Sequence, residues 1–435
     1  MPQDVIQLNT RNLLIKLLLI ALLIAAGVWS YYVLRWYAGN TMADYFDPSA
    51  NNLRVAQMAE SLAPHDPLTH WRLAQVTQKS LPLDQQNQSI LEYEKAVSLS
   101  PNDYRFWMAL GTASEQVGDP AKAEQALKRA VELAPAYAYP HWYLGNLYLR
   151  AGRYDEAFAE LRLASEADQG FQPQQFNLIW EVYNSDVESL KKAVGENATT
   201  RAKFASYLLG RQQFEDGLRM WDTLSGAEKR SNRDTAESMV NNLISVYRYH
   251  DAVRVWNDIT TNERFRAEIG RVFDGGFEDA SSYGPEMVFG WQVKAMPQVQ
   301  IGVDPVRSNG GSNSLRLAFN VRTNVENINL SQLVAVAPKT EYDFEFYVAT
   351  EKLETGGPPL VQVIDPTNSA VLVSSPAAAG GTSDWTRVGL TFKTGDKTEA
   401  VMTKIVRPSC GTQEVPICPI FGSVWYDDFS IKRRG

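Results

Sequence analysis

Small and apolar residues return at a spacing of 34 through the first half of this 435-residue chain. Gly111 returns as Gly145, Ala123 as Ala157, Ala130 as Ala164 and Pro101 as Pro135, while Leu110 and Leu127 return as Leu144 and Leu161. A unit of that length cannot bury a core alone. Each must be covered by its neighbour, so the units stack into a solenoid with a concave face.

The pattern resembles the tetratricopeptide repeat, in which two antiparallel helices need small residues where they cross closely and larger apolar ones between. In the clearest unit Leu144, Gly145 and Tyr148 lie on the first helix. Gly152, Tyr154, Asp155, Glu156 and Ala157 form the turn and the start of the second helix, and Leu161 and Ala164 follow. The match is strongest over residues 104–168. Trp71, Leu73 and Ala74 open an earlier unit that ends with Tyr93, Ala96 and Pro101, and Ala59 and Pro64 read as the tail of a partial unit before it. Phe204, Ala205, Leu208, Phe214, Gly217 and Trp221 return thirty-five residues later as Met239, Val240, Leu243, Tyr249, Ala252 and Trp256, without the first-helix glycine. Residues 177–183 read as one more first helix, followed by a degenerate run through Asn197. The resemblance implies a helical array over 38–268 whose groove takes protein partners, with Asn146 and Arg150 as groove candidates. His70 and His141 occupy equivalent positions and read as repeat packing rather than metal ligands.

Ahead of the array, residues 17–34 carry no charge, and with residues 13–15 the run is long enough to cross a hydrocarbon core. Lys16 can snorkel to the headgroups, and Trp29, Tyr31, Tyr32, Trp36 and Tyr37 crowd the other boundary. Arg11 and Lys16 before the run, against Arg35 behind it, place the N-terminus inside. The expectation is a cytoplasmic segment 1–12, a single-pass anchor over 13–37, and a periplasmic or otherwise extracytoplasmic remainder. A cleaved signal peptide ending near Ala25-Ala26-Gly27 is the alternative, and it exports the same remainder.

Composition narrows the chemistry. With 42 basic against 50 acidic residues, a net charge of −8 and no Lys/Arg run, a nucleic-acid groove is not expected. Two cysteines cannot form a four-cysteine zinc site, and all four histidines precede residue 251, so the last third must work without imidazole.

After about Gly270 the pattern alternates and Gly, Pro, Asn and Asp punctuate it. Residues 314–320, 341–349, 360–364, 385–392, 400–406 and 424–432 read as strands, with others near Val299 and Ile328, which predicts an antiparallel sandwich over 270–435. Phe273-Asp274-Gly275-Gly276-Phe277-Glu278, then Gly290-Trp291, Ser314-Leu315-Arg316-Leu317, the Trp385 strand and a closing Trp425-Tyr426-Asp427-Asp428-Phe429-Ser430-Ile431 resemble the jelly-roll carbohydrate-binding modules and their galactose-binding-like relatives. On the closing strand, alternation with Phe429 and Ile431 aims Asp427 at the core, where a carboxylate needs a partner. The resemblance implies a structural calcium held by Asp427 and Glu278, with Asp428 as a lesser ligand. A carboxylate satisfied by backbone amides or an arginine is the alternative. Tyr283, Trp291, Tyr347 and Trp385 are the candidate sugar-stacking rings, with Trp291 and Trp385 also readable as core. Cys410 and Cys418, eight residues apart, read as one disulfide, or as two free thiols.

The expected whole is multidomain: a single transmembrane helix, an all-α tetratricopeptide-type superhelix and an all-β jelly-roll sandwich. It is expected to be a non-catalytic scaffold with no catalytic cofactor, recruiting proteins through its repeats and binding glycan through its last module, in assembly or export of a cell-surface polysaccharide. One alternative is a purely protein–protein scaffold capped by the sandwich. The other is a glycan hydrolase or lyase using carboxylates such as Glu345 and Glu326.

Overall fold

The computed structural model describes residues 13–45, 52–80, 87–184, 186–279, 287–293, 296–325, 328, 330–408, 410 and 418–434, without the side chains of 321, 323 and 324. The chain forms two compact units, Met1–Glu196 and Asn197–Gly435.

The first unit is all helical. Its helices are α1 (Leu13–Asp44), α2 (Leu53–Leu62), α3 (Pro67–Ser80), α4 (Asn87–Leu99), α5 (Tyr104–Gln116), α6 (Pro120–Leu133), α7 (Ala138–Arg150), α8 (Tyr154–Ala167), α9 (Gln172–Tyr183) and α10 (Val187–Val194). Local chemistry sets the boundaries. Asp103 and Asp119 cap α5 and α6 by accepting from the backbone N–H of Arg105 and Lys122, both at 3.0 Å, and Pro120 opens α6 where no donor is lost. The turns within repeats pass through Gly118 and Gly152 at φ +85° and +72°.

The recurring glycines are steric. A Cβ on Gly111 would lie 2.6 Å from Leu127 Cγ, and one on Gly145 would lie 2.8 Å from Leu161 Cγ. Gly and Leu therefore recur together at the 34-residue offset because they meet across the helix pair. A second device repeats with them. Pro64, Pro101 and Pro135 leave a carbonyl free, and the side chain six residues later fills it: His70 Nε2 at 2.8 Å, Trp107 Nε1 at 2.8 Å and His141 Nε2 at 3.0 Å.

The second unit begins with α11 (Ala198–Gly210), α12 (Phe214–Asp222), α13 (Gly226–Ser231), α14 (Arg233–Ser245) and α15 (Tyr249–Ile259). The missing first-helix glycine is explained here. The close crossing of α11 and α12 is kept by Gly217 on the second helix, where a Cβ would lie 2.9 Å from the Ala205 carbonyl oxygen.

Ten strands follow, β1 (Gln292–Val293), β2 (Gln300–Asp304), β3 (Ser314–Asn324), β4 (Leu330–Ala335), β5 (Glu341–Thr355), β6 (Leu360–Asp365), β7 (Ala370–Ser374), β8 (Gly381–Lys393), β9 (Ala400–Val406) and β10 (Pro419–Arg433). They form two five-stranded antiparallel sheets, β1-β4-β9-β6-β7 and β2-β3-β10-β5-β8. Between them lies one core built from Leu315, Leu317, Phe319, Phe344, Phe346, Val361, Val363, Ile405, Val424 and Tyr426. The anticipated strands are present, and β1 and β7 are additional. The two-residue β1 and the edge strand β7, a nearly continuous apolar run of five residues, carry little alternation to read.

Helix α15 is seated on this sandwich. His250 Nε2 donates to the Val336 carbonyl at 2.8 Å, and the Asn257 amide exchanges two 2.9 Å bonds with the Ala267 backbone. Trp256 packs on Phe289 and donates to the Phe265 carbonyl.

Candidate functional site

The opening and closing motifs of the β-domain meet in space. Phe429 N–H donates to the Gly275 carbonyl at 2.9 Å, and its ring packs on Phe277 and Trp291. Asp427 lies here, 0 % exposed. Its burial has a different origin from the one alternation predicts. A β-bulge between Asp427 and Ser430, with Asp428 at φ +52°, adds a residue to β10 and resets the alternation. Val424, Tyr426, Phe429 and Ile431 belong to the core, whereas Asp427 pairs with Tyr347 on the opposite face of the sheet, beneath the 309–313 loop.

The carboxylates bind that loop through its amides. Asp427 Oδ2 accepts from Asn309 N at 2.7 Å and Gly310 N at 3.3 Å, and Oδ1 accepts from Asp428 N at 2.8 Å. Glu278 Oε1 accepts from Ser312 N and Asn313 N at 2.8 and 3.0 Å, and Asp428 Oδ2 accepts from Asn309 Nδ2 at 2.7 Å. Burial pushes the Asp427 carboxyl up to about 6, its amide donors pull the other way, and Asp428 adds to the rise. Among the described residues no three His, Cys, Asp or Glu side chains converge in metal-ligating geometry. Glu278, Asp427 and Asp428 thus share the 309–313 loop, each accepting from its amide groups.

The stacking candidates separate. Trp291 is 0 % exposed in the core and donates its indole N–H to the Asp274 carbonyl at 3.1 Å, so it offers no face to a sugar. Tyr283 lies outside the described residues. Tyr347 and Trp385 are half-buried on the outer face of the β2-β3-β10-β5-β8 sheet. There Tyr347 pairs with Arg387 across β5 and β8, and Arg387 is ion-paired to Glu345. Beside them the Arg307 guanidinium lies 4.6 Å from the Trp425 ring and 5.9 Å from that of Trp385, and donates to the Ser383 carbonyl at 3.1 Å. Trp425 donates to Asp304 Oδ2 at 2.8 Å, and Arg316 packs on its ring. Ring faces beside charged hydrogen-bonding groups suit stacking on a pyranose and bonding to its hydroxyls.

Sequence reading misses Arg307, which sits in a loop without period. Arg316 had a signal, since it alternates with the core residues Leu315 and Leu317. Glu345, offered as one carboxylate of a hydrolytic pair, is engaged by Arg387, and Glu326 lies outside the described residues.

In the array, Asn146 donates to the Trp142 carbonyl of its own helix at 2.8 Å, and Arg150 makes two 2.6 Å bonds to Glu115. A cleft of about 330 Å³ runs along α3, α5 and α7, lined by Trp71, Lys79, Arg105, Met108 and Tyr143 among others. Trp71 Nε1 is buried and has no acceptor among the described residues.

Cys410 and Cys418 are bonded, with Cα atoms 5.1 Å apart. Arg407 closes the base of the loop they bracket, donating to the carbonyls of Gly357, Val325 and Cys418 at 2.9, 2.7 and 2.5 Å and to Thr355 Oγ1 at 2.8 Å.

Comparison with known proteins agrees with the helical reading. Two family models, each described as tetratricopeptide repeat, match residues 115–179 and 87–138. No curated protein sequence matches the chain. Among solved structures, similarity is found to MamA (20 % identity, 39 % of this chain and 87 % of that one, TM-score 0.30). It is also found to PilF of Pseudomonas aeruginosa (16 %, 51 % and 97 %, TM-score 0.33) and to the CBM22-1 xylan-binding domain of Xyn10C from Paenibacillus barcinonensis (16 %, 38 % and 97 %, TM-score 0.24). Residues 87–179 thus carry tetratricopeptide repeats, between an N-terminal apolar helix and a C-terminal antiparallel β-sandwich.

Proposed function

We propose that this chain is a non-catalytic, membrane-anchored scaffold that holds a protein partner in its repeat cleft, with its bulk outside the cytoplasm. The observation carrying this reading is the cleft along α3, α5 and α7, where aromatic, thioether and cationic side chains line a concavity within a repeat of the protein-binding type. Capture from solubilised membranes tests it. The full chain is expected to retain a partner that Met108→Ala with Tyr143→Ala loses, and equal recovery by both chains counts against the cleft.

A second binding activity, toward glycan, is favoured by the outer sheet face that carries Tyr347, Trp385, Arg387 and Glu345. Anchoring would concentrate both surfaces at the membrane, so weak affinities suffice for a role in assembling or exporting a cell-surface polysaccharide. A glycan array is expected to give binding that Tyr347→Ala with Trp385→Ala removes. Silence across neutral and acidic polysaccharides would leave the sandwich as a structural cap on a protein–protein scaffold. Release of reducing ends from a bound glycan, abolished by Glu345→Gln, would make the protein an enzyme instead.

A further inference from the structure

Helix α1 does not stop where its apolar run ends. It continues unbroken to Asp44, and its last turns pack as the first helix of a repeat whose second helix is α2. A Cβ on Gly39 would lie 2.7 Å from the Ala59 carbonyl oxygen. The equivalent positions in later repeats, Gly111 and Gly145, face the Ala123 and Ala157 carbonyls at 3.2 and 3.1 Å. Ala43, Ala56, Ala59 and Ala63 are buried in this crossing. Polar bonds lock it: Arg35 donates to the Ser61 carbonyl at 2.6 Å, Asn40 to Asp66 at 2.8 Å, and Arg72 to the Ala43 carbonyl at 3.0 Å.

From this geometry, and resting on the reading of α1 as a membrane anchor, we infer that the repeats of the first unit lie against the bilayer along one edge, with lipid headgroups as their partner. A helix that is rigid from membrane to repeat aligns the following helices roughly with the bilayer normal. Because α2 returns antiparallel, its C-terminal end comes back to the level of Arg35, beside Trp36 and Tyr37. The 63–66 turn then sits at the headgroups, and strict up-and-down alternation brings the 100–103 and 134–137 turns to the same side.

The side chains there agree. Tyr137 and Tyr139 are 58 % and 57 % exposed, and Tyr104 leans on Tyr137 at 5.3 Å between ring centroids. Exposed rings of this kind favour a membrane interface. Ion pairs occur at both edges, Arg105 with Asp103 on this one and Arg150 with Glu115 and Arg153 with Glu124 and Glu156 on the opposite one, where Tyr154 packs on Tyr183. Helices of 13–14 residues put that edge about 20 Å farther from the lipid.

The test uses the full chain in nanodiscs of phosphatidylethanolamine and phosphatidylglycerol doped with a nickel-chelating lipid. Spin labels are placed on His65→Cys, Asn102→Cys and Ala136→Cys, and on Ala121→Cys and Ala151→Cys at the far edge. Several-fold greater relaxation enhancement at the first three is expected. A flexible glycine–serine insertion between Tyr37 and Ala38, which keeps the Gly39 and Ala43 crossing and gives up the Arg35–Ser61 bond, is expected to erase the difference, as is Gly39→Leu. Equal enhancement at both edges in the unmodified chain overturns the inference while leaving the anchor intact. Release of the protein by alkaline carbonate extraction of native membranes overturns the anchor itself.

Discussion

At the residue scale, the 34-residue signature reduces to contacts that tolerate no substitute. Gly145→Val would drive a branched side chain into Leu161, a buried clash costing about 2–3 kcal/mol by analogy with overpacked cores. Urea unfolding of the variant is expected to show that loss with its m-value unchanged. His141 makes a pH-dependent contribution. Its Nδ1 lies 2.6 Å from Glu160 Oε2, and that carboxylate holds the imidazolium above the usual histidine value against the opposing effect of burial. Folding raises this pKa, so the pair's stabilisation is complete below the unfolded value of about 6.5 and fades as pH rises through the folded one. Melting temperatures recorded across neutral pH should fall more steeply for the natural chain than for Glu160→Gln. His70, Trp107 and His141 also show a limit of reading residues by type. Equivalence of the two histidines was legible, but the shared acceptor, a proline carbonyl six residues earlier, emerges only once the turn is folded.

At the element scale, the bulge in β10 decides what the closing motif does. Asp427→Ala would leave the amides of Asn309, Gly310 and Asp428 without their acceptor, at about 1–3 kcal/mol for each donor that water cannot reach. We expect a marked drop in the stability of the sandwich by urea unfolding, with calcium giving no rise in melting temperature in the natural chain. A calcium-dependent rise of several degrees that Asp427→Ala abolishes would replace the amide account with a bound cation. Strand positions were readable because alternation is a strong local signal. The bulge was not, because the apolar Trp425 is in phase with Phe429 and Ile431 and hides the shift from Val424 and Tyr426. One extra residue exchanged the face on which Asp427 lies.

At the scale of the molecule, the change from helical to alternating pattern near Gly270 and the division into compact units at Glu196 are different boundaries. Because α15 is bonded and packed to the sandwich through His250, Trp256 and Asn257, a fragment spanning 197–435 should unfold in one cooperative transition. A fragment of 270–435 should lose stability and expose the apolar seat of α15. Calorimetry of the two fragments checks this, and equal melting temperatures would show that the helices lend the sandwich no support.

Period, composition and the uncharged run were enough, by themselves, to specify stacked helix pairs, an apolar N-terminal helix and an antiparallel β-domain, because these follow from contacts between residues close in sequence. Tertiary structure decided what brings distant segments together. It buried Trp291 and left Trp385 half-exposed, engaged Arg150 with Glu115, set Arg307 between two indoles, and carried α1 into the first repeat. Each of those outcomes depends on which surfaces meet after folding, and no local periodicity encodes that choice.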